Sequence, residues 1–271
     1  MLNNYICCLD IGSSKIAACV AEVRRKRIGG IFFDNALSKG VREGALVDSI
    51  DLVGSVGTLL KNLKAKSGIN IKFVYVNISG RDIATRHSRA IVPLAERGNK
   101  VITSLDIQRV NEQARVLGSS LEEEIIHRIP AGYTIDSKSS VMNPLGLYSH
   151  RLEVDLYLVC AKLSHIQSLG RIINQAGYEI RDLFFSGVAT SRVVFDKDAR
   201  EGVDILCDIG SDNTELLIFK NGVLRDIEIF SLGGNDLTRQ LQNALSVPFK
   251  LAEDIKRSYG IAGDPAEIEE A

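Results

Sequence analysis

The segment Asp10-Ile11-Gly12-Ser13-Ser14-Lys15 has a counterpart, Asp208-Ile209-Gly210-Ser211-Asp212-Asn213, at the start of the last quarter of the chain. Each copy follows a short apolar run, Tyr5–Leu9 or Val203–Cys207, and each leads into another. A strand ending in Asp, a tight glycine turn and a returning strand predict a β-hairpin. The backbone N–H groups of such a turn form a concave row that favours an anion, phosphate above all. An acidic residue beside it repels bare phosphate, so the pattern also predicts a metal ion, Mg²⁺ held through water. A single loop of this kind is also read as a plain hairpin capped by Asp. Two in matching context constrain the chain to two related half-domains closing on one nucleotide.

With 271 residues the chain is long enough for two lobes with cores of their own. A net charge of −1 gives no electrostatic reason to expect nucleic acid, and aromatic residues, at 6%, are too few for a base-stacking surface. The basic run Arg24-Arg25-Lys26-Arg27 falls where a hairpin turns and reads as a solvated turn. Cys7, Cys8, Cys19, Cys160 and Cys207 all lie in apolar runs without C-x-x-C spacing, which predicts buried thiols in a reducing cytoplasm. The four histidines show no metal-ligand spacing and read as structural or surface residues. Asp10 and Lys15 interrupt the N-terminal apolar stretch, so no signal peptide is expected there, and no run approaches the roughly 18 apolar residues of a membrane span.

Along the chain, strands are predicted over Tyr5–Leu9, Ile16–Val23 and Ile28–Phe33, then a helix from Asp48 to Lys66 and a buried strand over Ile71–Ile78. The block from Ser79 to Leu163 is more polar. It predicts a strand over Ile83–Val92, a helix over Thr103–Leu117, a short acidic helix over Leu121–Ile129 stopping at Pro130, and strands over Gly132–Ile135 and His150–Leu163. In the last strand Leu152, Val154, Leu156, Leu158 and Cys160 alternate with Arg151, Glu153, Asp155 and Tyr157, as in a sheet with one face covered and one wet. Helices follow over Ser164–Gly177 and Val188–Phe195, flanking a strand at Leu183–Phe185, and the polar stretch Asp196–Gly202 is the expected boundary between lobes. The opening pattern then returns over Val203–Phe230, followed by helices at Asn235–Leu245 and Phe249–Tyr259, with the tail Ala262–Ala271 left unassigned. The expected organisation is α/β: a first lobe over 1–78 and 164–200, an inserted α+β subdomain over 79–163, and the start of a second lobe over 201–271. The second lobe is the shorter, which reads as a fragment or an abridged lobe.

The paired D-I-G loops resemble the two phosphate loops of the actin, heat-shock chaperone and sugar-kinase superfamily. Within it, the chain resembles the FtsA family of bacterial cell-division proteins. Val41-Arg42-Glu43-Gly44 before the Asp48 helix is similar to that family's approach to its first helix. The segment Glu124–Pro130, Tyr133, Asn143-Pro144-Leu145-Gly146 and Arg151-Leu152-Glu153-Val154 resemble its subdomain 1C, an SHS2-like insert. Gly233–Thr238 and Ala252–Arg257 look like its nucleotide-contacting loop and helix. The likeness runs from about Tyr5 to Gly260. It implies an actin-like ATPase fold with ribonuclease H-like lobes, the first lobe being 1A and the second beginning 2A and 2B.

It also implies ATP and Mg²⁺ in the cleft. Asp10 and Asp208 would organise Mg²⁺ through water. Gly12, Ser13, Ser14 and Lys15 would hold phosphates from one side, and Gly210, Ser211, Asn213 and Thr214 from the other. Gly233 and Gly234 would approach the nucleotide closely, and Glu253 and Lys256 would touch its adenosine end. For Lys15 a solvated hairpin lysine is the alternative, and for Glu253 and Lys256 a simple i,i+3 surface pair. The family polymerises head to tail through 1C, works with FtsZ and other divisome proteins, and ties FtsZ filaments to the cytoplasmic membrane at the septum. Its C-terminal amphipathic helix is absent from this sequence, so a cytoplasmic protein, peripheral to the membrane only in a tethered form, is expected. A PilM-like pilus-assembly adaptor and a superfamily ATPase or kinase are the alternatives. A kinase requires a cleft aspartate as base, and Phe184–Phe195 offers no acidic or amide residue to orient water, so hydrolysis is expected to be slow or absent. The second loop reads Gly210-Ser211-Asp212-Asn213-Thr214 where the family it resembles has a run of glycines and threonines, and Asp212 adds a negative charge near phosphate. Serine lacks glycine's freedom at positive φ, and two unit charges about 4 Å apart repel by roughly 4 kcal/mol at an effective dielectric of about 20, so weakened phosphate binding is expected.

Overall fold

The computed structural model describes residues 5–25, 27–42, 45–95, 98–137, 139–195 and 201–259. The tail Ala262–Ala271, Lys26 of the basic run, the Glu43-Gly44 pair and residues 196–200 of the expected lobe boundary lie outside them.

The chain opens with strands β1 (Tyr5–Ile11), β2 (Lys15–Arg24) and β3 (Arg27–Leu37), an antiparallel meander in which Asp10 faces Ala17 and Cys8 faces Cys19. A short hairpin, β4 (Val41–Arg42) and β5 (Ala45–Leu46), leads into helix α1 (Ser49–Ser67). Asp48 caps α1 by accepting from the N–H groups of Ile50 and Asp51, and Gly68 closes it at φ +70°. Its buried face is Leu52, Val56, Leu59, Leu60 and Leu63, at about 1.5–3 kcal/mol for each fully buried side chain. Strand β6 (Phe73–Ile78) then pairs in parallel with β1. This first core seals one face of the meander.

Four elements follow in the polar block: β7 (Ile83–Pro93), β8 (Lys100–Val101), α2 (Ser104–Leu117) and β9 (Glu123–Ile135). Thr103 caps α2 in a full capping box with Asp106. The acidic helix expected over Leu121–Ile129 is instead the first half of β9, which continues unbroken through Gly132–Ile135. Ile125, Ile126 and Ile129 favour the pleated surface, and pairing with a long neighbour outweighs the helix-forming glutamates. Pro130 is tolerated because the pairing shifts register next to it and β9's other neighbour reaches only Tyr133–Ile135. That neighbour is β10 (Ser139–Val141). After β11 (Tyr148–Ser149) the chain enters β12 (Arg151–Lys162), completing a sheet of order β10-β9-β12-β7.

The alternation of β12 holds on one side, where Leu152, Val154, Leu156, Leu158 and Cys160 pack with α2. The opposite face is not wet throughout: Tyr157, Val159 and Ala161 are buried. Helix α3 (Leu163–Gln175) and strand β13 (Glu179–Phe185) return the chain to the first sheet, whose order is β13-β6-β1-β2-β3. Helix α4 (Ser186–Val194) then leads towards the second lobe.

The second lobe repeats the opening meander as β14 (Val203–Ile209), β15 (Thr214–Lys220) and β16 (Val223–Phe230), followed by α5 (Gly234–Leu245) and α6 (Phe249–Tyr259). Leu206, Leu217, Phe219, Leu224 and Ile227 form a third core with Tyr157, Val159 and Phe185. The second meander thus covers the side of β12 that alternation marks as polar. Arg225 Nη1 donates to the Ala131 carbonyl at 3.0 Å, and the Tyr157 hydroxyl donates to Asp226 at 3.2 Å. Cys207 departs from the expected burial: it is exposed on β14, while Cys8 and Cys19 are half-buried and Cys7 and Cys160 are buried.

Candidate functional site

The two loops face each other across a cleft of about 450 Å³. Both close in the same way. Gly12 N donates to Lys15 O at 3.0 Å, and Gly210 N donates to Asn213 O at 2.8 Å. A Cβ added at Gly12 would stand 3.1 Å from the Lys15 carbonyl oxygen, and one at Gly210 2.9 Å from that of Asn213. A side chain would therefore force a shift at Gly210 and crowd the loop at Gly12. Four residues separate the last paired positions in each hairpin, Ile11↔Ile16 and Ile209↔Thr214, so Asp10 corresponds to Asp208 and Lys15 to Asn213.

Among the expected site residues, Asp10, Gly12, Ser13, Ser14 and Lys15 line the cleft from one side, and Asp208, Gly210, Ser211 and Asn213 from the other. Thr214 is turned elsewhere, its hydroxyl donating to the Leu232 carbonyl at 2.7 Å. Gly233, Gly234, Glu253 and Lys256 are not among the residues lining the cleft. Gly233 is crossed by the second loop itself: a Cβ there would lie 2.6 Å from the Ser211 carbonyl carbon and oxygen. Gly234 N and Asn235 N donate to the carbonyls of Gly210 and Ser211, so the start of α5 braces that loop. Lys256 Nζ bonds the Gly234 carbonyl and the Thr238 hydroxyl, and pairs with Glu253 at 2.6 Å. Burial works against the Glu253 carboxylate, but bonds from Lys256, Thr238 and Arg257 outweigh it and hold its pKa at about 2.

The two departures in the second loop read differently in three dimensions. Neither Ser211 nor Asp212 has a positive φ, so the loss of glycine costs no backbone strain there. Asp212 is buried and accepts from Asn235 Nδ2 at 2.7 Å, tying its charge into the base of α5.

Several cleft residues carry no signature in the loops. Asn77 is buried at the end of β6, where its Oδ1 accepts from Ile11 N at 2.7 Å and its Nδ2 donates to Asp10 at 2.5 Å and to Ser186 at 3.0 Å. It is the one amide in a strand of otherwise apolar residues, and that isolation is the sequence signal for it. Ser79, Ser186 and Thr190 also line the cleft. Glu215, the cross-strand partner of Asp208, is 5% exposed. Its Oε1 accepts from Gly80 N, at the start of the inserted subdomain, at 3.0 Å, and its Oε2 is buried without a partner among the described residues. Burial first, then the charges of Asp208 and Asp10, push its pKa up to about 7 against the pull of the Gly80 N–H. Asp10 is raised for the same two reasons, burial and Asp208, with Lys15 pulling it back. The floor of the cleft thus gathers carboxyls whose mutual repulsion a cation would relieve.

Comparison with known proteins now places the chain. The SHS2 domain inserted in FtsA matches residues 80–160, and the cell division protein FtsA family matches residues 205–270. The chain belongs to the FtsA family. FtsA of Borreliella burgdorferi is 28% identical over 97% of this chain and 63% of its own length, and FtsA of Pseudomonas aeruginosa is 28% identical over 94% and 60%. The chain therefore spans about three-fifths of the curated FtsA relatives it matches. The fold is actin-like. A PilM–PilN type IV pilus biogenesis complex aligns with a TM-score of 0.63 at 17% identity, covering 94% of this chain and 70% of that one. The ethanolamine utilization protein EutJ from Carboxydothermus hydrogenoformans gives 0.52 at 16% identity, covering 93% and 61%.

Proposed function

We propose that the cleft binds ATP with Mg²⁺, and that the protein acts in cell division as a nucleotide-dependent assembly partner linking FtsZ filaments to the membrane. The observation that carries the nucleotide reading is the pair of identically closed loops, Gly12–Lys15 and Gly210–Asn213, facing one another across the cleft. Their amides and the Lys15 ammonium suit phosphate, and Asp10 and Asp208 suit a cation between them. Among the described residues no group of three or more His, Cys, Asp or Glu side chains stands close enough to hold a metal directly, which accords with Mg²⁺ held through water and phosphate. When bound, the ion supplies charge neutralisation to the phosphates. Asn77 orients Asp10 for that role, and Lys15 faces the phosphates from the first lobe. Ser186, Ala189 and Thr190 are what α4 presents to the cleft, with no carboxylate among them, which supports slow hydrolysis.

Calorimetric titration with Mg²⁺-ATP tests the nucleotide reading; absence of heat at millimolar nucleotide would sink it. The cell-division role rests on the FtsA relatives and on the SHS2 segment at residues 80–160, which favours this family over a pilus adaptor and is the surface proposed for head-to-tail self-assembly. FtsZ, further divisome proteins and a position at the inner face of the cytoplasmic membrane belong to the same proposal. No helix among the described residues is long and apolar enough to cross a membrane. Co-sedimentation with FtsZ filaments tests the adaptor role, and pelleting no better than a control protein would count against it.

A further inference from the structure

A second cavity, of about 380 Å³, opens beside the cleft. The two share Ser13 from the first loop and Asp212 from the second, so they meet at the seam between the two loops. The walls of the second cavity bring together one arginine from each lobe, Arg42 on β4 and Arg239 on α5, with Asn235 also lining it. Both arginines are exposed. Arg239 Nη1 donates to Asp236 at 3.0 Å, a surface i,i+3 pair that engages one of the five N–H groups of the guanidinium.

We propose that Arg42 and Arg239 read the terminal phosphate of a nucleoside triphosphate, closing on it from opposite lobes. The proposal rests on the nucleotide reading of the cleft given above. Location is the first ground, because this cavity continues the cleft past the residues that both loops contribute to the seam. Charge is the second. Asp212 sits at that seam, and an anion passing it needs cationic counterweights, which two permanently charged guanidinium groups supply. Topology is the third. A ligand held by both arginines favours lobe closure, whereas a diphosphate, one phosphate shorter, leaves the cavity to water. Planar guanidinium forks suit phosphate oxygens in a way that single ammonium groups do not.

The experiment is calorimetric titration of the whole chain and of Arg42→Gln, Arg239→Gln and the double variant, each with Mg²⁺-ATP and with Mg²⁺-ADP. Each single variant is expected to weaken ATP about tenfold, and the double variant about a hundredfold, while ADP changes by less than about twofold. Arg→Lys at either position is expected to restore part of the ATP preference. ADP affinity in the same samples reports that the variants are folded. Equal weakening of ATP and ADP, or no weakening of either, overturns the proposal while leaving the nucleotide reading intact. A parent chain that binds neither nucleotide overturns both.

Discussion

The two phosphate-loop hairpins are built to one plan and furnished differently. Each has an Asp at the strand end and a glycine whose N–H closes the loop three residues on. At matched positions the first hairpin carries Lys15 and Ala17 where the second carries Asn213 and Glu215. The first is braced from within its own lobe by Asn77. The second is braced from α5, whose N–H groups and Asn235 side chain hold Gly210, Ser211 and Asp212. Duplication preserved the backbone device, and the charge placed beside it diverged: a cationic wall faces an acidic one.

That contrast can be broken most severely at Gly233. Because the atoms in the way are backbone, Gly233→Val is expected to cost about 4 kcal/mol in denaturant unfolding and to disorder the second loop selectively. Next comes the acidic side of the comparison. Glu215 has its pKa raised from 4.5 to about 7, so the folded state favours its protonated form. The stability this gives is complete below the unfolded value and is lost as pH rises through about 7. Glu215→Gln removes that loss, and unfolding measured at pH 8 or above should show a gain of about 3 kcal/mol over the parent, shrinking towards zero near pH 4. On the first hairpin, Asn77→Ala leaves Ile11 N–H and one Asp10 oxygen without their partner and is expected to cost about 2 kcal/mol. The smallest effect belongs to Ser211→Gly. With no positive φ to relieve, this change should alter stability by about 0.5 kcal/mol or less. A larger gain would show that the second loop is strained after all.

The sequence made the duplicated hairpins legible because their information is local: a strand end, a glycine and a returning strand. The capping box at Thr103 and the Asp48 and Gly68 ends of α1 were legible for the same reason. Long-range pairing was not. The stretch around Glu123–Ile129 carries enough glutamate to read as a helix, and only the register against β12 makes it a strand. The polar alternation of β12 likewise gave no warning that the second meander would cover Tyr157 and Val159. In the site, loop residues were readable and supporting residues were not. Asn77, Ser186 and Glu215 arrive from other strands and helices, and their meaning lies in partners 66 to 135 positions away. Gly233, Glu253 and Lys256 carry a recognisable pattern, but in this structure they shape the second loop and the α5–α6 contact.

The bond from Gly80 N to Glu215 has a consequence for measurement. Its donor is the main-chain amide of Gly80, where the first lobe passes into the inserted subdomain, and its acceptor a buried side chain of the second lobe. Deuterium enters that amide only when this contact opens locally, so its exchange rate records separation of the second lobe from the preceding part of the chain without any attached label. Read in the presence and absence of a ligand, a single proton at Gly80 would measure how far the two halves of the molecule are held shut.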